Sequence, residues 1–293
     1  MAMTWILRAL WVLLPLLSGP LFGDALHRSD TPFRTVMSLA LWITWAVGLV
    51  ATLIPQPITL TVIRVLATGV IPFAVRALFA GIDLSITHVV GLVAVVGTAA
   101  VSMMPDIAAV FIDGESYGDE RRLPLKPPSG AVLGPLPVAW LVTVGGLSVG
   151  PILLARGLWL LGLVIGIPGL ALAWFGGRSL HTLARRFLVF VPAGFVVHDL
   201  IALNDPILFR REDVQVFGPA FEDTVATDLT LGASGLALEA RFTRALTVPL
   251  RQLPKRGTEA PEPEPRNIRA VLISPSQPGA VLAEARKRNL RVG

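Results

Sequence analysis

Residues 105–128 read P-D-I-A-A-V-F-I-D-G-E-S-Y-G-D-E-R-R-L-P-L-K-P-P. They are the one long polar interruption in an otherwise apolar N-terminal half, with five carboxylates, the adjacent Arg121 and Arg122, and the only tyrosine of the chain, Tyr117. Four apolar segments precede this stretch, at residues 5–22, 36–54, 58–80 and 84–104, and two follow it, at 131–154 and 158–175. Each runs for about 18–24 residues, the length that a hydrocarbon core of about 30 Å demands of a helix. Residues 1–177 are therefore predicted to be a six-span helical membrane domain, with a long polar loop at 105–130.

Composition agrees. Hydrophobic residues make up 53% of the chain and the mean hydropathy is +0.68, too high for an ordinary soluble protein of this length. There is no cysteine, which excludes disulfides, thiolate metal sites and thiol catalysis. The first segment has a competing reading as a cleaved leader, with Arg8 as its basic start and Ala25 near the cut. Its apolar core is longer than a leader's and no clean A-x-A follows, so a retained span is expected. Pro55-Gln56-Pro57 makes a tight turn between the second and third spans. Gly162 and Gly166 form a G-x-x-x-G that suits close helix packing, a weak signal in a chain with 27 glycines. Arg64 and Arg76 lie near the ends of the third span, within snorkelling reach of the interface. Asp83 and His88 open the fourth span, where they are placed to pair with Arg76.

From residue 178 the pattern changes. Short β-type runs alternate with turn residues: 186–191 and 195–200 flank Pro192-Ala193-Gly194, a hairpin signal, and 207–211, 214–217, 227–231, 236–242 and 268–273 follow. Leu236, Leu238, Ala240 and Phe242 alternate with Glu239 and Arg241, the period of a half-buried strand. Residues 254–266, rich in Pro and Glu, read as a flexible loop. The end is helical, with Pro278 in a first turn, Val281, Leu282 and Ala285 on one face, and cations in the last turn. A mainly β domain over 178–293 is expected, closed by a C-terminal helix.

Seven short strands followed by one helix is the element order of a pleckstrin-homology-like (PH-like) barrel. Residues 186–199, R-F-L-V-F-V-P-A-G-F-V-V-H-D, resemble the opening hairpin of bacterial PH-like domains, and residues 272–290 resemble their closing strand and helix. The whole chain is similar to an uncharacterised family of multi-spanning membrane proteins of actinobacteria, through Y-G-D-E-R-R-L-P-L-K-P-P at 117–128 followed by Gly134-Pro135. The resemblance implies a PH-like barrel acting as a binding or assembly module, with no shared catalytic activity.

The candidate sites are polar clusters. Asp113, Glu115, Asp119 and Glu120 are of the oxygen-donor type that hard cations take, but their spacing fits no established loop and Arg121 and Arg122 compete for them. Arg121, Arg122, Arg178, Arg185 and Arg186 are the basic groups expected to meet a partner or anionic headgroups. His27, His88, His181 and His198 are dispersed, and His198-Asp199 reads as a surface pair. No G-x-S-x-G, Walker or dinucleotide fingerprint occurs. No metal, cofactor or nucleic-acid partner is expected, and a non-catalytic role is favoured. Basic residues near span ends, and above all the Arg-rich tail, put both termini and the loop on the cytoplasmic side of the plasma (inner) membrane. The expected function is a membrane-anchored module whose C-terminal domain docks a protein partner or anionic lipid. The alternative is a membrane enzyme or transporter of a lipid or envelope precursor, with the loop acids and arginines at its entrance.

Overall fold

The apolar runs fold as helices because a chain without water to bond must satisfy its backbone internally. In chain order these are α1 (Ala2–His27), α2 (Thr31–Leu53), α3 (Pro57–Gly69), α4 (Ile71–Leu78), α5 (Ile86–Ser102) and α6 (Pro105–Asp113). A short strand β1 (Arg121–Pro124) and a small helix α7 (Ser129–Leu133) precede the long α8 (Pro135–Ala155) and α9 (Trp159–Ala184). The β-rich part follows: β2 (Phe187–Val191), β3 (Gly194–His198), β4 (Ile207–Arg210), β5 (Val214–Pro219), β6 (Thr227–Asp228), β7 (Leu238–Leu250), β8 (Glu264–Ile273) and a closing α10 (Pro278–Lys287). The computed structural model describes residues 2–250 and 264–293. It divides into one unit of residues 1–111 and 136–181 and a second of residues 112–135 and 182–293.

In the first unit five helices are long and apolar enough to cross a membrane: α1, α2, α3 with α4, α8 and α9. The expected fourth span is α5, which bends by 56° into α6 and makes a sixth crossing if the pair counts as one. The bend falls just before Pro105, which disfavours helical geometry at Met104. Polar groups within these helices find partners on their neighbours. Trp11 and Trp45 each donate their indole N–H to the other's backbone carbonyl, both at 2.9 Å, fastening α1 to α2. Gly48 makes room for the Trp11 ring, which a side chain there would penetrate. Arg8 Nε donates to the Thr52 carbonyl at 3.0 Å, and Arg64 Nε to the Ser102 carbonyl at 3.1 Å, the last residue of α5. Arg64 thus caps a helix C-terminus, where cations are favoured. Helices α8 and α9 meet through glycine: a Cβ on Gly150 would lie 2.8 Å from Gly166 Cα, and one on Gly146 would overlap the Gly169 carbonyl. The G-x-x-x-G at Gly162 and Gly166 is therefore a packing face in fact, used within this hairpin.

The second unit holds two four-stranded sheets, in the orders β1-β2-β3-β4 and β5-β7-β8-β6. All pairings are antiparallel except β6 with β8. Each of the seven expected runs carries a strand, and β1, from the polar loop, is an eighth that the sequence reading left as connector. The expected closed barrel is corrected: among the described residues the sheets do not join into one ring. Between β4 and β5 the chain turns through a 3-10 helix at Arg211–Asp213 instead of pairing, and isolated bridges such as Leu125–Pro275 and Leu203–Leu250 are all that link other edges. The sheets share one core, centred on Phe190, Phe195, Phe209, Phe217 and Phe242, against which Val281, Ala285 and Leu290 of the C-terminal segment pack. Gly194 carries the β2–β3 turn with φ 151°, where a side chain would strike the Phe209 carbonyl. Of the loop expected at 254–266, residues 254–263 lie outside the described residues and 264–266 belong to β8.

Two outcomes follow from this packing. Gly146→Leu should destabilise the α8–α9 hairpin by about 1–3 kcal/mol, as overpacking does. Gly145→Leu, where an added Cβ meets nothing within 4 Å, should leave the thermal midpoint of the purified protein near that of the parent. The second outcome concerns acid. Arg244 Nε donates to Asp213 Oδ1 at 2.6 Å, and this bond holds the Asp213 carboxyl below the usual carboxylate range. A lowered folded-state value means that the stabilisation is present above the unfolded carboxylate value of about 3.9 and is lost as pH falls through the folded one. An acid titration of unfolding should therefore show a shallower acid limb for Asp213→Asn than for the parent.

Candidate functional site

The polar stretch owes its shape to one strand. Arg121, Arg122, Leu123 and Pro124 of β1 pair with Phe190, Val189, Leu188 and Phe187 of β2. Leu123 and Leu125 belong to the aromatic core, and Leu123, Pro124 and Leu125 are all buried, while Arg121 at the start of the strand is exposed. The backbone continues the seam: Leu125 N–H donates to the Arg186 carbonyl at 3.0 Å, Lys126 N–H to the Ser274 carbonyl at 2.8 Å, and Ser276 N–H to the Pro124 carbonyl at 2.9 Å. Lys126 Nζ and Ser129 Oγ reach the carbonyls of Ser234 and Gly232, at 2.9 and 2.6 Å.

The loop acids are held by the loop arginines. Asp113, at the end of α6, accepts Ser116 Oγ and the Arg122 backbone N–H, both at 2.9 Å, and its other oxygen pairs with Arg121. Arg122 spans Glu115 at 3.2 Å and Glu120 at 3.5 Å and lies 5.5 Å over the Phe187 ring. Phe187 in turn stacks on His198, centroids 4.4 Å apart, and the His198 ring N–H donates to the Arg185 carbonyl at 2.8 Å. Asp119 offers its backbone carbonyl to Arg288, and its side chain is exposed. Guanidinium forks satisfy these carboxylate lone pairs. Among the described residues no three His, Asp or Glu side chains gather where a metal ion would sit.

Arg121, Arg122, Arg178, Arg185 and Arg186 are the groups expected to meet a partner or anionic headgroups, and the structure gives them different surroundings. Arg186 is 2% exposed and Asp199 is fully buried. Arg186 Nε and Nη2 both donate to Asp199 Oδ2, at 2.9 and 2.6 Å, and Nη1 donates to the Lys126 carbonyl at 2.6 Å. Asp199 Oδ1 accepts the Ile201 backbone N–H at 3.1 Å. Arg186 is thus an interior brace joining β2, the β3 exit and the loop, and Asp199 is no surface residue. Arg122 is 20% exposed and Arg121 half-exposed. Arg185 is exposed; Arg178, also exposed, stands on α9 in the other unit.

One constellation escaped the sequence reading. His88, 3% exposed, lies with Nε2 3.0 Å from Asp24 Oδ2, and Ser85 Oγ lies 3.2 Å from His88 Nδ1. Acid, imidazole and hydroxyl in that order mimic a nucleophile relay. Here Nδ1 accepts the Ser85 backbone N–H at 3.1 Å, which makes this the capping box of α5 and occupies the lone pair that a general base would need. The S-x-x-H spacing at Ser85 is the local signal for it. Asp83 lies 3.9 Å from Arg28, so neither residue takes the pairing with Arg76 that the sequence suggested.

No family model, no curated protein and no solved structure matches the chain.

The buried brace has a measurable consequence. Arg186→Met strands the Asp199 charge and should cost about 3–5 kcal/mol of stability, whereas the double change Arg186→Met with Asp199→Leu should recover part of that loss. Denaturant unfolding of the purified chain, followed by the exposure of its aromatic core, reads both.

Proposed function

We propose that this chain is an integral membrane protein serving as a membrane-anchored docking module, with the unit of residues 112–135 and 182–293 as its partner-binding part. The observation that carries the reading is the unit's exposed apolar and aromatic side chains. Phe221 and Val225, in the segment between β5 and β6, are 65% and 102% exposed, and Tyr117 is 87% exposed. Large apolar groups held out from a β core are the usual anchors of protein interfaces. Arg241 lies 5.5 Å over the Phe221 ring, which orders it in that exposed position. The resemblance of residues 186–199 and 272–290 to bacterial PH-like domains, and of the chain to the actinobacterial membrane family, supports a docking role, here without a closed barrel.

The exposed aromatic and apolar groups favour a protein partner for this unit, which also displays Arg210, Arg211, Arg266, Arg269, Arg286, Lys287 and Arg291. With Arg186 buried and Arg122 held between Glu115 and Glu120, the exposed basic groups of the expected set within this unit reduce to Arg121 and Arg185. At about 1 kcal/mol per interfacial cation they favour, without dictating, contact with anionic headgroups. The unit is continuous with the helical part at three points of the chain, 111/112, 135/136 and 181/182. Such anchoring raises the effective concentration of a docking surface for membrane-bound partners. The pairing of β1 with β2 requires that the chain between them return to the side it left, as the two crossings of α8 and α9 do. Together with the basic tail this supports a cytoplasmic position for the unit and the C-terminus, and counting α5 with α6 as one crossing puts the N-terminus on the same side.

A photoreactive residue at Val225 of the full chain, activated in intact cells, tests the reading. A discrete protein adduct that disappears on Phe221→Asp is expected. Adducts to lipid alone would transfer the unit's role to the membrane surface. Replacing Asp113, Glu115, Asp119, Glu120, Arg121 and Arg122 by alanine separates the enzyme or transporter class. Loss of a metal-dependent activity or flux with the adduct intact would overturn the docking reading.

A further inference from the structure

We infer that the helical unit binds an anionic phospholipid, with one acyl chain in the cavity between α1, α2, α3 and α5 and the phosphate on Arg34 and His27. The inference is independent of what the other unit docks.

The cavity has a volume of about 270 Å³ and its walls are carbon, from Leu14, Phe22, Leu41, Trp42, Leu66 and Val70. Away from its mouth, where Ser38 stands, the hydroxyls that line it are already spent on their own helices. Ser18 Oγ donates to the Leu14 carbonyl at 2.7 Å, Thr44 Oγ1 to Ala40 at 2.8 Å and Thr98 Oγ1 to Ala94 at 2.7 Å. The reciprocal Trp11–Trp45 bonds close one end and leave neither indole N–H free. A polar ligand would forfeit its hydration here and gain no partner, whereas a hydrocarbon chain loses nothing. Trp42, on the cavity wall, is 56% exposed on a helix long and apolar enough to cross a membrane, so the cavity is open to acyl chains.

The other end of the cavity carries charge. Leu26 and Ser38 are its outermost lining residues on α1 and α2. His27 follows directly on Leu26, and Arg34 lies one turn before Ser38. Arg34 Nη1 donates to His27 Nδ1 at 3.4 Å, which leaves the remaining guanidinium N–H groups and His27 Nε2–H as donors. A second cation arrives from the turn after α8, where the Arg156 guanidinium lies 5.3 Å over the ring of Phe33, the neighbour of Arg34. Of the acids nearby, Asp83 sits beside Arg28 and Asp24 is engaged by His88. Asp30, the N-cap residue of α2, makes no side-chain capping bond and opposes one of the cations. Arg28, Arg34 and Arg156 are matched in number by Asp24, Asp30 and Asp83, so what selects an anion at the mouth of the apolar cavity is the set of unspent N–H donors on Arg34 and His27, which a lipid phosphate accepts.

Native mass spectrometry of the full chain in detergent, with phosphatidylglycerol or phosphatidylcholine of identical chains, tests this. The parent should retain phosphatidylglycerol with about a five-fold preference, the size expected of one interfacial cation, and Arg34→Gln should bring the ratio near one. Gly19 and Gly23 line the cavity at places where an added Cβ meets nothing within 4 Å. Gly19→Leu and Gly23→Leu should therefore fill it and reduce retention of both lipids several-fold. Equal retention of the two lipids by the parent, the signature of unselective annular lipid, overturns the headgroup assignment. Parent-like retention by folded Gly19→Leu and Gly23→Leu overturns the cavity. Should both variants misfold by circular dichroism, the parent decides alone: its thermal midpoint must rise with phosphatidylglycerol and stay unchanged with phosphatidylcholine, and any other result sinks the proposal.

Discussion

Four residues of backbone pairing, Arg121–Pro124 on Phe187–Val191, organise the β-rich unit. Without β1 the strand β2 would be an edge with unpaired carbonyls and N–H groups, and Leu123 and Leu125 would lose their place in the aromatic core. The pairing is backed by a buried ion pair that depends on it. Arg186 spends one N–H on the Lys126 carbonyl, so the charge of Asp199 is neutralised only where the loop segment is in place. A buried pair of this kind contributes less to net stability than to the uniqueness of the arrangement, because breaking it leaves a charge without solvent. The result is one domain made from two stretches of chain, with the α8–α9 hairpin leaving and re-entering between them.

The helical unit follows the same rule in a drier setting. Where hydrocarbon surrounds a helix, hydrophobicity gives no preference between helix and lipid, and contacts are chosen by close approach and polar satisfaction. Glycine supplies the approach, at Gly91 against α1 and at Gly146, Gly150 and Gly166 between α8 and α9. Polar satisfaction is supplied by Trp11 with Trp45, by Arg8 on Thr52 and by Arg64 on the end of α5. Each of these bonds joins different helices, so the few polar groups in the spans act as registers. The cavity beside Trp11 and Trp45 is the space left where aromatic bulk holds α1 and α2 at that distance.

Charge in the 105–128 loop is largely spent on structure. The loop at 105–128 looked like a metal or substrate entrance because its carboxylates cluster in sequence. Three of them face two guanidiniums, and that neutralisation lets a polar segment lie on a β core. Of the basic set read from the sequence, Arg121 and Arg185 remain exposed in this unit, alongside Arg210, Arg211, Arg266, Arg269, Arg286, Lys287 and Arg291, and the exposed apolar groups that stand out are Phe221, Val225 and Tyr117. Those lie in loops whose residues carry no periodic signal, so nothing local marked them as a surface.

Local periodicity made much of this legible. Long apolar runs marked the helices, short β-type runs bounded by turn residues marked β2 to β8, Pro192-Ala193-Gly194 marked the hairpin and Pro278 the last helix, because each depends on residues near one another in the chain. The break before Pro105 was visible as a proline, and the 56° angle it makes was not. Long-range pairing was likewise beyond reach. That R-R-L-P becomes a strand rests on β2, more than sixty residues away; that the sheets stay two and unclosed rests on the corner at Asp213 held by Arg244; that Arg186 turns inward rests on Asp199 and Lys126 together. The sequence by itself determined which segments are helix, strand and bilayer-compatible, because hydrophobic period is a local property. Only the tertiary structure decided which charges are buried and which segments share a domain, because a side chain's partner is set by the free energy of satisfying it, wherever along the chain that partner lies.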